Sequence, residues 1–165
     1  MEPLVLRGLT MCLIDATLAA GTTTTISTTG TTHYLINGKA YTKAAITNGA
    51  TPTTDVNTGE AFTAIQPSEG GVFVVGLNAN GDVKVAQGEI TDLTPEADGA
   101  NTSFVSAPDF PALPEDFCPV GYILTKVGAS GSAWTFGSSN LAGPPSNVLH
   151  TIVSVGTLPT RPQTS

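Results

Sequence analysis

VFVVGLNANGDVKVAQG, residues 72–88, is the stretch whose reading decides the fold. It opens on the β-branched and aromatic run Val72, Phe73, Val74 and Val75 and turns through Asn78-Ala79-Asn80-Gly81-Asp82. It then resumes with Val83 and Val85 on one face and Lys84 and Ala86 on the other. Gly and Asn tolerate the positive φ of tight hairpin turns, and β-branched residues suit a pleated, half-buried surface. The stretch predicts a β-hairpin near the centre of the domain. Glu89-Ile90-Thr91-Asp92-Leu93 extends its second strand past a bulge at Gly88.

The rest of the composition points the same way. Only 12% of the 165 residues are charged, yet mean hydropathy is just +0.15, because Thr, Ser, Gly and Asn fill the polar positions. Thr favours strands, while 18 Gly and 12 Pro punctuate turns and discourage long helices. The expected class is all-β: a compact antiparallel β-sandwich or barrel-like domain over residues 21–156. An N-terminal arm or first strand (1–20) precedes it, and an extended C-terminal tail (157–165) follows. A net charge of −7 argues against nucleic acid or an anionic membrane as partner, since both select basic patches. No segment approaches the ~18 apolar residues of a membrane span. Leu9-Thr10-Met11-Cys12 lacks the small residue and the basic-then-apolar lead of a processed lipoprotein signal, so the chain reads as unprocessed and made in a cytoplasm.

Residues 2–20 form the most hydrophobic region. Leu9, Leu13 and Ala16 have helical spacing, whereas Leu4 and Leu6, then Leu9, Met11 and Leu13, alternate like a strand after a slip at Gly8. Two roles stay open: a core strand, or an arm that docks on another chain. The candidate binding residues are Leu4, Val5, Leu6, Leu9, Met11, Leu13 and Ile14. Burying each contributes roughly 1.5–3 kcal/mol, and ordering the backbone costs ~1–2 kcal/mol per residue. A single arm therefore binds weakly, and several arms on one oligomer gain ~10²–10⁴-fold in avidity.

Downstream, the Thr-rich residues 21–32 read as an exposed strand over 22–27 with a bend near Gly30. His33-Tyr34-Leu35-Ile36 and Lys39-Ala40-Tyr41-Thr42 form a second hairpin about Asn37-Gly38. Residues 45–69 are mostly loop around the apolar island 61–65. A short strand is expected at Phe104-Val105-Ser106, and the proline-spaced residues 108–114 are extended. They deliver a strand at 117–127, and a last strand covers 148–155. The few aromatics predict burial of Phe73, Tyr122, Trp134 and Phe136, with Val75 beside them.

No familiar catalytic motif emerges. The sequence contains no nucleophile elbow, Walker loop, HExxH or CxxC. Cys12 and Cys118 follow no ligand spacing and read as buried thiols. His33 reads as structural. Asn78-x-Asn80-x-Asp82 places oxygens as a calcium loop begins, but Gly81 falls too early and the closing Glu is missing in register. Asp55 and Glu60 alone are thin support for glycoside hydrolysis. No enzyme activity, cofactor or metal is expected.

The order His33-Tyr34-Leu35-Ile36-Asn37-Gly38-Lys39-Ala40-Tyr41, Thr51-Pro52-Thr53-Thr54-Asp55 and Val72-Phe73-Val74-Val75-Gly76-Leu77 resembles small structural proteins of tailed-phage virions. So do Leu113-Pro114-Glu115-Asp116, Pro119-Val120-Gly121-Tyr122 and Leu158-Pro159-Thr160-Arg161-Pro162. The resemblance lies in texture and motif order across most of residues 31–162. It implies a capsid decoration (cement) or head-fibre protein, a homotrimer on the outer virion surface with the major capsid protein as partner. The alternative it implies is a tail-fibre or receptor-binding module.

Overall fold

The computed structural model describes residues 8–164, which contain no α-helix and only one turn of 3-10 helix at Gly99–Asn101. The strands are β1 (Met11–Cys12), β2 (Ala19–Ala20), β3 (Ile26–Ser27), β4 (Thr32–Ile36) and β5 (Lys39–Lys43), then β6 (Glu69–Leu77), β7 (Val83–Asp92), β8 (Cys118–Val127) and β9 (Val148–Ser154). All pairings are antiparallel. They make a four-stranded sheet β7-β6-β8-β9, a three-stranded sheet β1-β4-β5 and the ribbon β2-β3. None of these closes into a barrel, because each sheet ends in strands bonded on one side only.

The hairpin of residues 72–88 forms as β6 and β7. The Asn78 side chain builds its turn: Oδ1 accepts the Asn80 and Asp82 N–H groups at 3.0 and 2.9 Å, and Nδ2 donates to Asp82 Oδ2 at 3.1 Å. The oxygen ladder of residues 78–82 is thus engaged in the turn itself. At Gly88 the register breaks as expected: Gly71 pairs Ile90 and Phe73 pairs Gln87, so an extra residue sits opposite Val72. Only glycine fits there, since a Cβ would lie 2.8 Å from the Asp109 carbonyl oxygen and 3.0 Å from Pro111 Cδ. The second hairpin also forms, with Asn37 and Gly38 at φ 50° and 79°, the left-handed pair that a two-residue turn demands.

β6 lies between β7 and β8 and is buried on both faces. Its period-two alternation sends Phe73, Val75 and Leu77 into one cluster and Val72 and Val74 into another. In the first, Phe73 stacks on Phe136 at 4.9 Å and meets Phe62 and Trp134 edge-on at 5.9 and 5.8 Å. Cys12, Tyr34 and Ile36 of the three-stranded sheet join it, and the Tyr34 hydroxyl donates to the Asn78 carbonyl at 2.9 Å. The second cluster is roofed by the proline-spaced segment and by residues after β9. Phe110 meets Tyr122 at 5.1 Å, Leu158 packs beside it, and the Gln163 N–H donates to the Tyr122 hydroxyl at 3.1 Å. The aromatics expected inside are there: Phe73, Tyr122, Trp134 and Phe136 are all buried, as is Val75.

Two elements differ from the sequence reading. The strand expected over 22–27 shrinks to Ile26–Ser27, because the Thr25 hydroxyl and N–H both donate to the Thr22 carbonyl and close a turn instead. At Phe104 there is only a single bridge to Leu93, because Val105 and Ser106 bend away.

His150 of β9 is half-buried, with its ring turned against the aromatic cluster. Its ring lies 4.7 Å from Trp134, Nδ1 bonds the Thr125 hydroxyl at 2.9 Å, and Nε2 has no partner among the described residues. Burial pushes its pKa down to about 4; the Asn140 carbonyl, which draws it upward, is outweighed. The unfolded chain therefore takes up a proton near pH 6.5 that the folded chain refuses. Stability from this residue is intact above pH 6.5, falls on the order of 3 kcal/mol as pH drops toward 4, and then levels. Urea midpoints measured across that window should show the slope, and His150→Gln should flatten it relative to the parent. Phe73→Ala should cost ~3–5 kcal/mol in the same assay at neutral pH; a loss under about 1 kcal/mol would contradict its place in the cluster.

Candidate partner-binding surface

Of the candidate binding residues, Leu4, Val5 and Leu6 lie outside the described residues. The others sit on a pinned stretch along the three-stranded sheet. The Leu9 carbonyl accepts the Gly38 N–H at 2.9 Å, and the Thr10 hydroxyl accepts the Asn37 N–H at 3.1 Å. Met11 and Cys12 pair with Leu35 and Tyr34 as β1, with Met11 half-buried and Cys12 buried. The Cys12 N–H donates to the Gly156 carbonyl and the Leu13 N–H to that of His33, both at 2.8 Å.

The chain then leaves the sheet, and Leu13 and Ile14 are each 51% exposed. This tip is fixed at both ends. The Cys12 thiol donates to the Ile14 carbonyl at 2.7 Å, and Asp15 Oδ1 accepts the Thr17 N–H at 2.8 Å. Beyond it Ala16 and Leu18 return to the core, and the Leu18 N–H donates to the Ser154 hydroxyl at 2.7 Å. Two adjacent large aliphatic side chains are therefore held toward solvent on backbone that cannot fold them inward. Two grooves of mixed lining lie along neighbouring parts of the N-terminal stretch, without including Leu13 or Ile14. One, of about 400 Å³, runs along Met11, Tyr122, Val153 and Pro159. The other, of about 260 Å³, is lined by Thr10, Leu113, Phe117 and Leu158.

The remaining candidates occupy separate places. His33 is exposed, with Nδ1 3.3 Å from the Thr42 hydroxyl. Asp55 and Glu60 do share a shallow cleft of about 350 Å³ with Thr58, Thr63 and Gln87. There Asp55 Oδ1 accepts the Gln87 and Asn57 N–H groups at 3.2 and 3.3 Å, which fastens a loop to β7. Among the described residues no group of three His, Cys, Asp or Glu side chains is placed to hold a metal ion, and no helix is long and apolar enough to cross a membrane. No family model, curated protein or solved structure matches this chain.

Both cysteines are free and buried. Burial raises the Cys12 pKa, and burial followed by the nearby Cys12 pushes Cys118 up to about 12. Each is a protonated thiol at neutral pH. A thiol-disulfide reagent should label neither in the folded protein and both in denaturant; rapid labelling of the native chain would contradict the packing around β1 and β8.

Proposed function

We propose that this chain is a structural virion protein, a β-sandwich that binds the outer surface of a phage capsid and decorates or stabilises it. The observation that carries the reading is the tip of Leu13 and Ile14, each 51% exposed on hydrogen-bonded backbone, on a domain with few charges. Half-exposed aliphatic side chains on ordered backbone gain from burial without the ordering cost of a free arm. The resemblance of the motif order to small phage structural proteins supplies the partner, the major capsid protein.

The test starts with virions assembled from the genome that encodes this chain. Mass spectrometry should find the protein in purified particles, and gold-labelled antibody should mark the head. Labelling of tail tips would overturn the reading in favour of a receptor-binding module, and absence from particles would overturn both. Because β1 belongs to a sheet, deleting residues 2–14 would remove Cys12 from the core and confuse binding with folding. Leu13→Ser/Ile14→Ser avoids that. It should leave the urea midpoint unchanged and weaken binding to capsids about 10–100-fold, the worth of roughly 1.5–3 kcal/mol of lost burial. Unaltered binding would remove the tip from the contact.

A further inference from the structure

The edges of the sheets are managed unequally. The outer edge of β7 is covered along its length. The Val85 carbonyl accepts the Val56 N–H at 2.9 Å, the Gln87 N–H bonds Asp55, and the Gln87 side chain exchanges bonds with the Thr63 backbone at 2.8 and 2.9 Å. Farther on, the Asp92 carbonyl accepts the Val105 N–H at 3.0 Å. β5 is guarded by a lysine at each end, Lys39 and Lys43, a common device against edge pairing. The middle of β9 is neither covered nor guarded. The strand's sequence, VLHTIVS, has no Lys, Asp, Glu or Pro.

The phase of its bonding can be read from the flanks. Val155 N–H donates to the Val120 carbonyl and Gly128 N–H to that of Asn147, both in register with the β8 pairing. Leu149, Thr151 and Val153 therefore bond inward to β8, while Val148, His150, Ile152 and Ser154 turn their backbone groups outward. Pro145 takes the Val148 N–H, and Leu18 reaches the Ser154 hydroxyl. Between them the N–H and C=O groups of His150 and Ile152 have no partner among the described residues. Beside them Leu149 is 38% exposed and Thr151 is exposed.

We infer that β9 is a self-association edge that pairs with β9 of a second copy, antiparallel and centred on Thr151. That register is the one that satisfies every free group. His150 of each copy faces Ile152 of the other and exchanges both N–H···O bonds, and Thr151 faces its own counterpart in the closer, non-hydrogen-bonded pairing. Leu149 then lies opposite Val153, covering the exposed aliphatic surface, while Thr–Thr and apolar cross-strand pairs are favourable. No charge opposes another charge. Two-fold symmetry follows because a single edge meets its own copy. A trimer closed by edge pairing would need two complementary edges on each chain, and the β5 edge carries lysines.

Thr151→Cys tests the register directly. Opposed Cα atoms in a non-hydrogen-bonded pair lie about 4.5 Å apart, within disulfide range, and the native cysteines are buried. Mild oxidation should give a covalent dimer with Thr151→Cys and far less with Leu149→Cys. Sedimentation of the parent chain at high micromolar concentration should show twice the 16.7 kDa chain mass. Thr151→Lys, which sets two ammonium groups face to face, should return it to monomer with an unchanged urea midpoint. A monomeric parent, a trimer, cross-linking equal at both positions, or a dimer that survives Thr151→Lys would each overturn the inference. An edge filled instead by residues 1–7 of a neighbouring chain would give no cross-link through Thr151→Cys.

Discussion

Burial of both faces of β6 is the constraint on which the rest of the structure depends. A strand flanked on both sides has its backbone satisfied, but Val72, Phe73, Val74, Val75 and Leu77 leave it no face for water. Each face needs a roof, and the described residues contain no α-helix to supply one. One roof is the aromatic cluster with the three-stranded sheet; the other is the segment around Phe110 and Leu113 together with residues after β9. Long irregular stretches that look like spacers are thus structural parts. Their prolines suit the task, since a segment that lies over a sheet without joining it gains from lacking donors and from a restricted unfolded state.

The same constraint shapes the periphery. Side chains spent on two clusters leave little apolar material for display, so the exceptions stand out: Leu13 and Ile14 at the tip, Val105 beside the end of β7, and Leu149 on β9. All stand on ordered backbone, which removes much of the entropy cost of binding.

Much of the architecture was legible in local sequence. Both hairpins announce themselves through Asn-Gly or Asn-rich turns between β-branched runs, and the bulge through a lone glycine in a strand. Those signals are local because turn geometry is set by φ values that few residues adopt. The Thr-rich residues 22–25 misled, since a threonine hydroxyl bonds its own backbone as readily as it decorates a strand, and composition does not distinguish the two. At the candidate surface, the apolar character of residues 9–14 was visible. That Cys12 points inward while Leu13 and Ile14 point outward was not, because the choice depends on where β4 and Gly156 lie.

By itself the sequence determined the all-β class, the hairpin turns, the strands that open at Val72 and resume at Val83, those over 117–127 and 148–155 to within a residue, and the burial of Phe73, Tyr122, Trp134 and Phe136. Each follows from side-chain period, turn chemistry or the cost of leaving large rings in water. It did not carry β6 back to Glu69 or mark Tyr34, Phe62 and Phe117 as buried. Only the tertiary structure decided which strands became edges, which loops covered them and which apolar side chains were left outside. β6 and β9 are both rich in β-branched residues, yet one is central and the other peripheral. The difference comes from pairings between residues far apart in the chain, and no local pattern encodes which partner arrives on the second side of a strand.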